Sequence, residues 1–114
     1  MQTPPPIPLM NDTKWDEVRL GMHALGALRP RWRTRDLDTG YLSAWDGDWY
    51  YHFRVGGYRT IEWVEVAVGS AEQRRAVLGV LIRVHVPGEE TGDGFRVYGY
   101  VEAGSAVTYI ADGG

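Results

Sequence analysis

His52 is the residue in this sequence with the best setting for a general base. It lies in the stretch WYYHFR, among polar and aromatic side chains. A general base needs a pocket that faces the substrate and a carboxylate that orients the ring. Asp48 and Glu65 are candidates for that carboxylate, and Tyr51 and Glu62 could complete the pocket. One hypothesis is therefore a small-ligand-binding protein or small enzyme with a pocket around His52, Tyr51 and Glu62.

Two pairs of aspartates have a spacing that can hold a divalent cation. Asp46 and Asp48 in WDGDW follow an Asp-x-Asp pattern, as do Asp36 and Asp38 in RDLD. Asp-Gly between two strands is, however, ordinary turn chemistry. The chain has no cysteine, and none of its three histidines has a partner at metal-ligand spacing. We therefore predict turns at both places and no metal site.

Motifs of covalent catalysis and cofactor binding are also missing. Ser70 fits a helix cap and Ser105 a turn, so neither is a nucleophile. The glycine-containing stretches VGGY and TGDG lack the length and the lysine of a phosphate-binding loop. The sequence predicts no catalytic residue, no cofactor and no enzymatic activity.

Length and composition indicate one globular domain. The chain has 114 residues, of which 44% are apolar and 24% charged. A net charge of −3 argues against nucleic acid as a partner. No apolar run approaches the roughly 18 residues of a membrane span, and the start resembles no secretion signal. We therefore expect a cytoplasmic protein with neither nucleic acid nor membrane as its partner.

Two helices are predicted from capping residues and apolar periodicity. The first begins near Asn11 and ends before Pro30. The second begins at Ser70, where Gln73 completes the spacing of a capping box, and ends before Pro87. The predicted buried faces are Trp15, Val18, Met22 and Leu25 in the first helix, and Val77, Leu78, Leu81, Ile82 and His85 in the second.

Six short strands are predicted from alternating patterns and turn signals. Four lie between the helices and two follow the second helix, which gives the order α-β-β-β-β-α-β-β. Short connections favour antiparallel neighbours. The predicted fold is α+β, with two helices packed on a mainly antiparallel meandering sheet. Residues 1–10 are expected to form a disordered proline-rich tail, in which Met10 is an alternative initiator, and residues 11–114 a single α+β domain.

The stretch WYYHFRVGGYRTIEW predicts a hairpin. If Gly56-Gly57 form a two-residue primed turn, Val55 faces Tyr58 and the register is fixed. Side chains then alternate between an apolar face and a polar one. The apolar set is Trp49, Tyr51, Phe53, Val55, Tyr58, Thr60, Glu62, Val64, Val66 and Val68, and the polar set is Tyr50, His52, Arg54, Arg59, Ile61, Trp63, Glu65 and Ala67.

The last predicted hairpin, in which FRVYGYV and AVTYI flank EAGS, repeats this division. Phe95 and Val97 belong to its apolar side, and Arg96, Tyr98 and Tyr100 to the other. Tyr, Trp and Arg are over-represented at binding hot spots. The same residues also stabilise solvent-facing sheets that bind nothing, so a structural role stays open. The predicted partner-binding residues are Tyr50, His52, Arg54, Arg59, Trp63, Glu65, Arg96, Tyr98, Tyr100, Glu89, Glu90 and Asp93.

The arginines of RPRWRTRD form the main basic cluster. Arg29, Arg31, Arg33 and Arg35 alternate with other residues and would line one face of a strand. Such a ridge could contact phosphates or acidic protein, or form a salt-bridged edge strand that resists aggregation. Interleaved arginines and tyrosines also suggest single-stranded nucleic acid, which the acidic net charge opposes.

At NDTKW, PRWRT and GGYRTIEW the chain is similar to a family of small, uncharacterised bacterial proteins, from residue 10 almost to the end. The resemblance supplies no catalytic residues. Stand-alone bacterial proteins of this size include immunity proteins that neutralise a toxin. We therefore expect a non-catalytic, cytoplasmic protein-binding domain, an immunity or inhibitor protein that occludes a toxin or other effector through its aromatic and arginine-bearing sheet face.

Overall fold

A computed structural model describes residues 3–111 of the chain. The helices and strands, in chain order, are β1 (Ile7–Pro8), α1 (Asp12–His23), β2 (Arg31–Asp36), β3 (Ile61–Ala67), α2 (Ala71–Val84), β4 (Gly88–Glu90), β5 (Gly94–Tyr98) and β6 (Tyr100–Val101). Short 3-10 turns cover Gly26–Leu28 and His52–Arg54. The predicted α+β class is confirmed, with two helices and six strands in the part of the chain that is described.

Both helices begin where the sequence predicts. The Asn11 side chain accepts a hydrogen bond from the backbone N–H of Lys14, and Ser70 accepts one from Gln73. The Gln73 side chain returns to accept from the N–H of Gly69 at 2.6 Å. Helix α2 ends at Val84 and is followed by the C-cap residue His85, which adopts a left-handed conformation with φ of 64°. Local capping chemistry therefore fixes the start of each helix.

The main sheet has four antiparallel strands in the order β2-β3-β5-β4. Val64 of β3 pairs with Val97 of β5, and both are fully buried. They share one core with residues of both helices, so α1 and α2 lie on the same face of the sheet. The fully buried members of this core are Val18 and Met22 of α1, Val77, Val80 and Leu81 of α2, Val64, Val66, Phe95 and Val97 of the sheet, and Trp49 and Val86 of the connections. Each contributes about 1.5–3 kcal/mol through burial.

The buried face of α2 is rotated from the predicted one. Val77 and Leu81 are buried, as predicted, and Leu78 is half-buried. Ile82 and His85 are exposed, so their predicted burial is wrong. Val80 and Val84 are buried instead; with Val77 and Leu81 they follow the i, i+3, i+4, i+7 spacing of a helix face.

The segment 49–54 is not a strand, which contradicts the predicted hairpin. Oδ1 of Asp48 accepts hydrogen bonds from the N–H groups of Tyr50 and Tyr51, and these bonds bend the chain into a 3-10 turn. Val55 and Gly56 then form a type II turn, with φ of −61° and +81°, closed by the N–H of Gly57 on the carbonyl of Arg54. A type II turn uses one glycine at its third position, so Gly-Gly here does not produce the primed hairpin turn.

The predicted faces of that hairpin therefore hold only in part. Trp49, Phe53 and Tyr58 are buried, as predicted. Tyr51 and Val55 were assigned to the core but have exposed fractions of 66% and 74%. Ile61, assigned to the polar face, is buried. The rings of Phe53 and Tyr58 pack against Trp15 of α1 from turn segments, and not from paired strands.

Two further strand predictions are corrected, and part of the predicted tail forms a strand. Residues 41–45 form no strand, although Leu42 and Asp46 make isolated bridges to β2. AVTYI pairs only through a bridge between Tyr109 and Pro87, because β6 pairs with β1 instead. Ile7–Pro8 thus form a strand within the predicted disordered tail, and Leu9 donates to the Gly99 carbonyl at 2.9 Å. Residues 1 and 2 lie outside the described residues.

Candidate interaction face

The sheet face opposite the helices carries polar and aromatic side chains, and we call it the open face. Strand register places its members side by side across the four strands. They are Arg33 and Arg35 of β2, Trp63 and Glu65 of β3, Arg96 and Tyr98 of β5, and Glu89 of β4. Neither described helix lies on this face, because both pack against the other one.

A row of alternating charges crosses the open face. Nε of Arg33 donates to Oε1 of Glu65 at 2.8 Å, and Nη2 of Arg96 donates to Oε2 of the same carboxylate at 2.9 Å. Partial burial raises the pKa of Glu65, but the hydrogen bonds from Arg96 and Arg33 outweigh this effect, so its pKa lies below the usual value. Glu89 extends the row beside Arg96 and accepts a hydrogen bond from the Tyr98 hydroxyl at 2.9 Å. Charge-assisted hydrogen bonds therefore hold these long side chains in fixed positions.

Two tryptophans stack on the arginines of this row. The Arg96 guanidinium lies 4.4 Å from the centroid of the Trp63 ring, and that of Arg33 lies 4.6 Å from the Trp45 ring. Both distances are in the range of cation–π contacts. Trp45, outside the predicted site, stands beside β2 with 37% of its surface exposed. The open face is thus a pre-ordered layer of indole and guanidinium groups.

The predicted interface residues divide into separate groups. Five of them share the open face: Trp63, Glu65, Arg96, Tyr98 and Glu89. The other predicted residues, Tyr50, His52, Arg54, Arg59, Tyr100, Glu90 and Asp93, lie outside it.

Each of these outlying groups has contacts of its own. Tyr50 packs on α1, with its ring 5.2 Å from the Arg19 guanidinium. Glu90 forms an ion pair with Arg74 of α2. The Tyr100 hydroxyl donates to the Arg59 carbonyl at 2.6 Å. The predicted residues therefore do not share one surface. For Tyr50, His52 and Arg54 the cause is the turn at Asp48, which replaces the predicted hairpin register.

His52 has an orienting carboxylate, but the predicted pocket does not form around it. Nδ1 of His52 lies 2.8 Å from Oδ2 of Asp46, and Nε2 lies 3.7 Å from Oδ2 of Asp48. The hydrogen bond with Asp46 raises the pKa of His52. Glu62 pairs instead with Arg35 at 3.4 Å and lines other clefts, and Glu65 lies in the charge row. The cleft beside His52 is lined by neither Tyr51 nor Glu62, so the three residues do not meet there as predicted.

The cleft beside His52 is small and offers one titratable group. Its volume is about 150 Å³, and its walls include Trp32, Thr34, Phe53 and Thr60. Ligand pockets commonly have volumes of about 300–1,000 Å³.

Within residues 3–111, no group of three or more His, Cys, Asp or Glu side chains could hold a metal ion. The aspartates act as turn residues: Asp36 accepts from the N–H groups of Asp38 and Thr39.

A larger cleft adjoins the open face and was not predicted as a whole. It has a volume of about 350 Å³ and shares Glu89 and Tyr98 with the open face. Glu62 and Glu102 also line it, together with Tyr100. These residues come from β3, β4, β5 and β6 and the segment after it, so only the strand order could have shown that they meet.

The fold and this face define a class of protein: a small α+β domain whose two helices cover one side of an antiparallel sheet and leave a polar, aromatic side open. The chain belongs to the family of unknown function DUF6678, whose model matches residues 5–104. This confirms the predicted membership of an uncharacterised family. No curated protein and no solved structure matches the chain. Neither described helix has the length and apolar character needed to cross a bilayer.

Proposed function

We propose that this protein is a non-catalytic protein-binding domain that occludes its partner with the open face. The observation that carries the proposal is the pair of arginine–tryptophan stacks, Arg96 on Trp63 and Arg33 on Trp45, joined through one glutamate. Trp and Arg are the residue types that most often dominate binding energy at interfaces.

Pre-organisation supports binding by this face. Ordering a long side chain on association costs about 0.5–1.5 kcal/mol. Arg33 and Arg96 are already held by Glu65, and each is only about one-third exposed. Much of that ordering is therefore already present in the free protein, and both arginines and both tryptophans remain partly exposed.

The geometry of a sheet face also suits occlusion. A stable interface needs about 800 Å² on each partner. Four adjacent strands supply a continuous surface, and the helices behind them hold it rigid through a shared core. An immunity or inhibitor protein of the bacterial cytoplasm is the particular form that we propose, on the resemblance of NDTKW, PRWRT and GGYRTIEW and the absence of cysteine.

Affinity capture from the native host, followed by mass spectrometry, tests this function. The bait is the protein itself, compared with a Trp45→Ala/Trp63→Ala variant. The matched control is Tyr41→Ala/Tyr51→Ala, which removes two rings with exposed fractions of 69% and 66% away from the open face. We expect one partner that the control retains and the tryptophan variant loses, with both variants folded by circular dichroism.

Two results would overturn the proposal. One is recovery of no protein partner. The other is a partner that binds the tryptophan variant and the control equally, since the open face would then lie outside the interface.

A further inference from the structure

The cleft beside the open face continues into a longer groove. The 350 Å³ cleft and a neighbouring one of about 230 Å³ share Glu62, Tyr100, Val101 and Glu102. The second cleft extends the groove towards Pro6 and Leu37. The shared residues make the two clefts one continuous groove on both sides of Tyr100 and Val101.

All the charged side chains that line the two clefts are carboxylates. They are Glu62, Glu89 and Glu102, and the lining contains no lysine or arginine. The remaining walls combine apolar side chains, such as Leu9 and Val101, with the two tyrosines Tyr98 and Tyr100. Carboxylates beside aromatic rings are complementary to guanidinium and ammonium groups.

Glu62 has an oxygen left for such a group. Its contact with Arg35 is through Oε1 at 3.4 Å, which is long for an ion pair with a hydrogen bond. Glu65, three residues further along β3, shows that a carboxylate on this sheet can accept two guanidinium groups, one on each oxygen. A second cation on Glu62 would reproduce that arrangement in the groove.

We infer that this groove binds an extended segment of the protein partner that carries arginine or lysine side chains. The inference rests on the proposed function, because it takes the occupant to be part of the occluded protein. The cation would lie between Glu62 and Glu102, and its alkyl chain would contact Val101 and Tyr100. The open face would bind the folded body of the same partner.

Peptide titration followed by NMR tests the groove without the natural partner. The probes are acetyl-Ala-Arg-Ala-Arg-Ala-amide and the peptide with glutamate in place of arginine. We expect the arginine peptide to shift the backbone amides of Glu62, residues 98–102 and residues 105–108, and the glutamate peptide to shift none of them. Shifts spread evenly over the acidic surface, or no shifts, would overturn the inference.

Paired variants separate specific binding from net charge. Glu62→Gln/Glu102→Gln removes two charges from the groove, and Glu17→Gln/Glu72→Gln removes two exposed charges outside it. We expect the first variant to weaken peptide binding about tenfold, which corresponds to about 1.4 kcal/mol, and the second to change it less than twofold. Since Glu62 also pairs with Arg35, the single variant Glu102→Gln should show the same direction of change. Equal effects of the two double variants would overturn the inference.

The capture experiment distinguishes the two failures. If the partner is retained by the groove variant and lost by the Trp45→Ala/Trp63→Ala variant, the proposed function stands and the groove is not part of the interface. If no partner is captured, the proposed function fails, and the peptide titration still reports whether the groove binds cations.

Discussion

Nη2 of Arg96 on β5 donates a hydrogen bond to the Glu65 carboxylate on the neighbouring strand β3 at 2.9 Å, which forms an ion pair between the two strands. Glu65→Gln removes the negative charge that Arg96 and Arg33 share and replaces one acceptor oxygen with an NH2 group. We expect Glu65→Gln to lower the free energy of unfolding by about 1 kcal/mol, since each arginine is partly exposed. Urea unfolding at pH 7 measures the change, and Glu17→Gln, which replaces an exposed helix carboxylate, is the control.

The same pair predicts a pH dependence. The pKa of Glu65 is lower in the folded protein than its usual value of 4.5. The stabilisation is therefore present above pH 4.5 and is lost as the pH falls through the lower folded value. The difference in unfolding free energy between the wild-type protein and Glu65→Gln should shrink on acidification below pH 4.5. A difference that stays constant to pH 2 would contradict this prediction.

The Tyr58 hydroxyl donates to Oδ1 of Asp16 at 2.5 Å and joins the turn region to α1. Burial, followed by this hydrogen bond, raises the pKa of Tyr58 to about 12. The folded state therefore favours the neutral phenol, and the resulting stabilisation is lost as the pH rises from 10 through 12. Titration followed by ultraviolet absorbance should show one tyrosine ionisation near pH 12. This ionisation step should be absent in the Tyr58→Phe variant. That variant should lose about 1 kcal/mol of stability at pH 7, in line with one hydrogen bond.

Sequence reasoning succeeded where a local signal fixes local structure. Asn11 and Ser70 cap the helices as expected, because a side-chain oxygen placed two or three residues before a free N–H satisfies it in almost any fold. The pattern of β3 also predicted its two faces, since Trp63 and Glu65 alternate with Val64 and Val66. The α+β class follows from such elements.

The members of the open face could be predicted only in part, because the course of residues 49–54 depends on one aspartate. Asp48 can serve either as a turn residue in a hairpin connection or as the acceptor that bends the next residues into a helical turn. Nothing in WDGDWYYHF distinguishes these outcomes without the tertiary contact that anchors Trp49, whose indole N–H donates to the buried carbonyl of Pro30. The pairing of β6 with β1 is likewise a contact between residues about 90 positions apart.

Gly21 of α1 lies against Val80 of α2, and this contact sets how closely the helices approach. A Cβ atom at Gly21 would come within 2.7 Å of Cγ1 of Val80. We expect Gly21→Ala to lower stability by about 1–3 kcal/mol, although alanine favours a helix more than glycine does. Gly79 is the matched control, because a Cβ there meets nothing within 4 Å. Gly79→Ala should raise stability by about 0.5–1 kcal/mol. Thermal unfolding of both variants checks the pair, and the prediction is wrong if they shift the midpoint in the same direction.

His52 and Asp46 form a contact whose strength is measurable by titration. Nδ1 of His52 lies 2.8 Å from Asp46, and this bond raises the pKa of His52 above 6.5. Because the folded pKa is the higher one, the pair stabilises the protein below pH 6.5, and the effect is lost as the pH rises through the folded value. Asp46→Asn should lower the pKa of His52, as followed by the imidazole resonances in NMR. Asp48→Asn should lower it less, since Asp48 is 3.7 Å from the other ring nitrogen and its Oδ1 would still accept from Tyr50 and Tyr51. An equal decrease in both variants would mean that the two carboxylates act on His52 through their charge alone, without the short hydrogen bond.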